Sequence, residues 1–99
     1  MAELRYSPAA RADLEKIASD IVANNGVAVA ERVIGRLRKS LAHLSVFPDL
    51  GRSRPGLGVG IRSWPLRPYL AFYRTNGRDV EIVRVLHGRR RITRKVLAG

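Results

Sequence analysis

Two runs of strand-forming residues, YLAFYRT over 69–75 and RDVEIVRVLH over 78–87, meet at Asn76-Gly77. An Asn-Gly pair between such runs is the strongest short-range hairpin signal, because a type I′ turn needs positive φ at both central residues. The turn forces two neighbouring antiparallel strands and commits the C-terminal half to a sheet. It also predicts a register, with Arg74 opposite Asp79, Tyr73 opposite Val80, Phe72 opposite Glu81, Ala71 opposite Ile82 and Leu70 opposite Val83. The second run is apolar on both faces, with Val80, Ile82 and Leu86 on one and Val83 and Val85 on the other. Such a strand is expected to be covered on both sides and to lie inside the sheet.

The N-terminal half has a different period. Residues 2–6 suggest a first strand, with Leu4 and Tyr6 on one face. Ser7-Pro8 reads as a helix start, since the serine oxygen can cap free N–H groups and proline is tolerated at the first helical position. A helix is predicted over 8–24, with Leu14, Ile17, Ala18, Ile21 and Val22 as its apolar stripe and Arg11, Asp13, Glu15, Lys16 and Asp20 mostly on the wet side. Asn25-Gly26 stops it. A second helix is predicted over 27–46, where Ala30, Val33, Ile34, Leu37, Leu41 and Leu44 return to one face, and Pro48 ends it. Two helices joined this closely must form an antiparallel hairpin, which needs a sheet to cover. Residues 48–60, rich in glycine and proline, read as a mobile connector. A further strand is predicted over 61–66, and residues 92–97 as a short tail helix or a frayed end. The expected architecture is one α+β domain over 1–99, in the order β-α-α-β-β-β with a short tail. Its parts are a helix hairpin over 8–46, a loop over 48–60, a β-meander over 61–87 and a basic tail over 88–99. A mostly antiparallel sheet packs on the hairpin. At this length a chain buries roughly 60–68% of its unfolded surface, enough for one small core.

Charge divides the chain as sharply as periodicity does. Residues 1–50 hold seven Lys/Arg against six Asp/Glu, whereas residues 51–99 hold twelve against two, so nearly all of the formal +11 lies in the second half. Sixteen of the nineteen cations are arginine, whose planar five-donor fork suits carboxylate, phosphate and aromatic faces. A GC-rich genome could account for the total, but codon bias would not choose one half. The chain has no cysteine, which removes disulfides, thiolate nucleophiles and thiolate metal sites and fits the cytoplasm. Residues 1–17 have no signal-peptide character, and no apolar run reaches the roughly 18 residues of a membrane span.

Catalytic residues are sparse. The glycines of 48–60 match neither a Walker loop nor a dinucleotide fingerprint. The carboxylates lie on different elements or on a solvated helix face and offer no acid–base pair, and Asp79 is explained as the partner of Arg74. Two histidines without ligand spacing give no metal site, and no cofactor is expected. His43 falls near a helix C-terminus and is assigned no chemistry. His87 has two open readings: a strand-end histidine held structurally, or, with an ordinary pKa near 6.5, an acid or base beside Arg89, Arg90 and Arg91.

The opening YSPAARADL, the segment FPDLG and above all the hairpin YLAFYRTNGRDVEIVRVLHGRRR, in this element order, resemble the ParE branch of the RelE/ParE toxin superfamily over nearly the whole chain. The resemblance implies a bacterial cytoplasmic toxin of a type II toxin–antitoxin pair, often linked to plasmid stabilisation. Such a toxin poisons DNA gyrase and is neutralised by a ParD-like antitoxin in a hetero-oligomer. Nucleic-acid contact would be indirect, and no membrane is involved. RelE-like relatives share the fold but cleave ribosome-bound mRNA. Here the strand position where such ribonucleases carry arginine is Leu70, and no tyrosine follows Arg89, so their catalytic set is incomplete. The expected target-binding residues are Arg62, Arg67, Arg84, His87, Arg89, Arg90 and Arg91, with His87 catalytic only in the ribonuclease alternative. The expected antitoxin contacts are Leu14, Ile21, Leu37, Leu41 and Arg74.

Overall fold

The computed structural model describes residues 3–98. The elements run β1 (Leu4–Tyr6), α1 (Pro8–Asn25), α2 (Val27–Val46), β2 (Arg52–Ser53), a 3₁₀ turn (Pro55–Leu57), β3 (Arg62–Leu66), β4 (Tyr69–Asn76), β5 (Asp79–His87) and α3 (Arg94–Ala98). The five strands form one sheet in the order β1-β5-β4-β3-β2, with β1 parallel to β5 and the other pairs antiparallel. As its two-sided apolar pattern requires, β5 lies inside the sheet. The expected residue 2 of the first strand lies outside the described residues.

Ser7 starts α1 by accepting from the Ala10 N–H at 3.0 Å, with Pro8 at the first helical position. Its hydroxyl also donates to Val83 O at 2.7 Å, so the cap ties the helix to β5. A single residue, Gly26 at φ 92°, turns α1 into α2. Only glycine adopts that conformation at no steric cost. The hairpin lays Leu14, Ile17, Leu37, Leu41 and Leu44 on the sheet face carrying Ala71, Tyr73, Val80, Ile82 and Val85. The opposite sheet face buries Phe72, Leu86 and Ile61 under Leu97 of α3, with Leu57, Ile92 and Val96 packed alongside. The molecule therefore has three layers, and the tail closes the third.

Two sequence expectations fail in the hairpin. Asn76 pairs with Asp79, which leaves Gly77 (φ 65°) and Arg78 as the central turn residues. No non-glycine residue among those described has positive φ, so the turn follows the II′ pattern, which needs positive φ only at its first central glycine. Arg74 consequently faces Glu81, its Nε 3.1 Å from Oε1. Asp79 instead accepts from the Glu3 N–H at 3.1 Å and pairs with Arg5 at 3.4 Å. Further along, Tyr73 faces Ile82 but Phe72 faces Arg84, so Val83 is the extra residue of a β-bulge. The bulge slips the alternation by one, which is why Val85 joins Val80 and Ile82 on the helix side while Val83 and Leu86 turn to the other.

Residues 48–60 are also more ordered than the connector the sequence predicts. β2 pairs with β3, and the buried Tyr73 hydroxyl holds the loop from beneath, donating to Pro48 O at 2.7 Å and accepting from the Gly51 N–H at 2.8 Å. A Cβ on Gly51 would lie 2.5 Å from the Tyr73 ring and 2.7 Å from Ser63 O, so the glycine of FPDLG is the residue that lets this loop lie on the sheet.

Candidate functional site

The cations expected to grip a target do not share one environment. The β3–β4 turn and the exit of β5 are neighbours: Tyr69 pairs with His87, and the Gly88 N–H donates to Pro68 O at 2.8 Å. Arg67 is therefore brought to the same end of the sheet as His87, Arg89, Arg90 and Arg91, and all five are exposed. Among the described residues, none of these four arginines makes a salt bridge. A groove of about 260 Å³ opens beside them, between α1 and the sheet end, lined by Lys16, Asp20, Tyr69, His87 and Arg90. Lys16 is a cation of this region that the charge count over the C-terminal half overlooked, but it is paired with Asp20 at 3.1 Å. It lies on α1, and the helical wheel marked it only as solvent-facing.

His87 is set by its own backbone. Its Nδ1 accepts from the Arg89 N–H at 3.1 Å, and its ring meets Tyr69 edge-on at 5.9 Å.

Arg84 does not belong to the exposed set. It is 9% exposed, and its guanidinium forms a two-pronged pair with Asp13, Nε to Oδ2 and Nη2 to Oδ1 both at 2.8 Å. Its Nη1 donates to Val96 O at 2.6 Å, and the Val85 N–H completes the Asp13 carboxylate at 2.9 Å. The hydrogen bonds to Asp13, against the cost of burial, push the already high pKa of Arg84 higher. Asp13 thus leaves the wet face the helical wheel assigned to it. Residues 71 positions apart form this pair, and no local pattern in the sequence marks it. Arg62 is half-committed: its Nη1 donates to Gly51 O at 2.8 Å and its Nη2 lies 3.5 Å from Asp49, so it braces the FPDLG loop.

The expected antitoxin residues need a larger revision. Leu14, Leu37 and Leu41 are 3%, 1% and 0% exposed and form the core under the hairpin. They face the sheet, because the helical stripe marks the buried face and not a docking face. Ile21 is half-buried against that core, and Arg74 is exposed beside Glu81. Exposed apolar side chains occur at Val22 and Val27 of the hairpin, and at Val46, Phe47, Leu50 and Val59 beyond it. On the hairpin, Ala18, Val22, Val27, Ala30 and Ile34 line a groove of about 460 Å³ to which Glu31 and Arg38 also contribute. Ala18, Ile34 and Arg38 also line the adjoining hollow that reaches Tyr6, Arg11 and Glu15. The Arg38 guanidinium stands 5.3 Å over the Tyr6 ring, and burial pushes the Tyr6 phenol above its ordinary pKa. Among the described residues, no three His, Asp or Glu side chains gather as metal ligands, and no helix is long and apolar enough to cross a membrane.

This geometry has close parallels among known proteins. The family model described as the ParE toxin of the type II toxin–antitoxin system parDE matches residues 4–92. The chain is 43% identical over 77 residues to Toxin ParE3 of Caulobacter vibrioides, covering 78% of this chain and 77% of that protein. It is 32% identical over 91 residues to Toxin ParE1 of Mycobacterium tuberculosis, covering 91% and 93% respectively. Among solved structures, the chromosomal ParDE TA system from P. aeruginosa superposes with a TM-score of 0.77 at 26% identity, over 88% of this chain and 96% of that one. Hairpin, sheet order and basic C-terminal strand end all fall within the matched span, and the chain belongs to the ParE toxin family of type II toxin–antitoxin systems.

Proposed function

We propose that the protein arrests growth in the bacterial cytoplasm by binding DNA gyrase through the cationic end of its sheet, and that it breaks no bond in doing so. The carrying observation is the gathering of Arg67, Arg89, Arg90 and Arg91 at one end, unpaired among the described residues. Guanidinium forks free of carboxylates are available to acidic side chains or to the phosphates of gyrase-bound DNA. The ribonuclease alternative is less well supported, because Leu70 stands where such enzymes carry arginine and no tyrosine follows Arg89. A plain nucleic-acid-binding role is less well supported, since no aromatic platform accompanies the arginines.

Neutralisation by a ParD-like antitoxin follows from the family. The outer groove of the hairpin, bounded by Val22, Val27 and Ile34 and flanked by Arg11 and Arg38, fits an amphipathic acidic segment that folds on binding. It replaces the buried leucines as the contact surface in the toxin–antitoxin hetero-oligomer.

A supercoiling assay tests the target. The purified, folded protein is expected to inhibit gyrase, and a variant with Arg89, Arg90 and Arg91 changed to alanine is expected to lose inhibition while melting like the parent. No inhibition by the folded parent at stoichiometric excess would refute the gyrase reading. Cleavage of ribosome-bound message that disappears in His87→Ala would put the ribonuclease reading in its place.

A further inference from the structure

Three residues before the strand ends, Arg84 leaves the sheet plane and reaches two other elements at once. Asp13 of α1 takes its Nε and Nη2, and the carbonyl of Val96 in α3 takes its Nη1. The segment carrying Arg89, Arg90 and Arg91 is thereby fixed at both ends. Upstream, Gly88 bonds to Pro68 O; a Cβ at Gly88 would stand 3.0 Å from that oxygen. Downstream, α3 is held by the burial of Leu97, by Arg84 and by the Arg94 Nε bond to Gly56 O at 3.0 Å. α3 has only five residues, too few to be stable as an isolated helix. Its position must come from what holds it.

We propose that Asp13 and Arg84 are positioning residues for target binding: they set where the arginine segment stands without touching the target. The pair does more than brace the core. Asp13 presents Arg84 in one orientation, and Arg84 passes that orientation to Val96, the far anchor of the segment. This inference rests on the reading that the segment is the target-binding surface, but not on which macromolecule the target is.

The test separates positioning from stability. A buried ion pair exchanged as a whole for uncharged residues of similar size is often neutral for stability, so the double variant Asp13→Asn, Arg84→Met removes the link to Val96 while an amide oxygen at position 13 can still accept from the Val85 N–H. It is expected to melt cooperatively within a few degrees of the parent. Trypsin is expected to cut it after residues 89–91 roughly tenfold faster, because cleavage under native conditions follows local opening. Its induction is expected no longer to stop growth. Arg84→Lys, which keeps the charge but not the three-way fork, should lie between the two. Growth arrest is read whatever the target, so a parent that kills without inhibiting gyrase overturns the gyrase reading and leaves this one standing. A stable double variant that kills like the parent with an equally protected tail overturns the positioning role. So does a double variant that fails to fold, since the pair would then be a general brace.

Discussion

Arg84 and Arg90 lie six positions apart in one basic run, yet they occupy opposite kinds of environment. Arg84 has its fork filled by a carboxylate and a carbonyl, and it is nearly buried. Arg90 stands exposed at the rim of a groove. A guanidinium whose donors are satisfied inside the molecule adds to the fold and offers nothing outside. One whose donors are free adds little to the fold and keeps them for a partner. Composition treats the two alike.

That contrast can be broken by measurement. The largest effect is expected from Arg84→Ala, which leaves the Asp13 carboxylate in a shielded site without its cation. Removing one partner of such a pair costs about 3–5 kcal/mol, read as a lower urea midpoint. A loss below about 1 kcal/mol would place Arg84 with the surface arginines. Next comes Gly51→Ala, where the added methyl must displace the Tyr73 ring or Ser63 O. Such overpacking costs about 1–3 kcal/mol, and it would show that the FPDLG loop is a fixed part of the sheet. A third effect sharpens the same point through pH. Burial raises the Tyr73 phenol above its ordinary value of 10.0, against the Gly51 N–H bond and the Arg62 charge, which lower it, with the Asp49 charge adding least to the rise. The folded state thus favours the protonated hydroxyl. The stabilisation it gives is complete below pH 10.0 and is lost as pH rises through the higher folded value. Tyrosinate absorbance should show Tyr6 and Tyr73 titrating late, and Tyr73→Phe should remove the part of that late titration that coincides with unfolding. Smallest of all, Arg90→Ala should shift stability by no more than about 0.5 kcal/mol while weakening growth arrest. A large loss of stability would dissolve the distinction from Arg84.

The same contrast explains what was legible in the sequence. Periodicity located α2 from Val27 to Val46 and α1 to within a residue, and the two-faced pattern of β5 implied its cover on both sides. These are local signals repeated over many residues, and repetition makes them robust. The turn dipeptide gave the hairpin but not its register, because Asn76-Gly77 can serve a type I′ turn or place glycine alone at the first position of a II′ turn. The Asp13–Arg84 pair and the order of residues 48–60 depend on single contacts between distant parts of the chain, for which no period exists. Of the candidate site, the exposure of Arg67 and of residues 89–91 follows from charge in a stretch with no carboxylates nearby in sequence. The site was misread at Leu14, Leu37 and Leu41 because an apolar helix face records burial without saying what does the burying. Here the protein's own sheet does it.

The third layer carries one more implication. Leu97, Ile92 and Val96 roof Phe72, Leu86 and Ile61, and the segment leading into that roof bears the arginines. Loss of the last dozen residues by a nonsense mutation would strip a patch of aromatic and aliphatic surface bare, and exposed patches of this kind drive aggregation. Such a product is expected in the insoluble fraction of a lysate, not as a quiet, soluble antagonist. Lineages that escape the poison while keeping a soluble copy should therefore do so by point changes in the basic segment, leaving the roof in place.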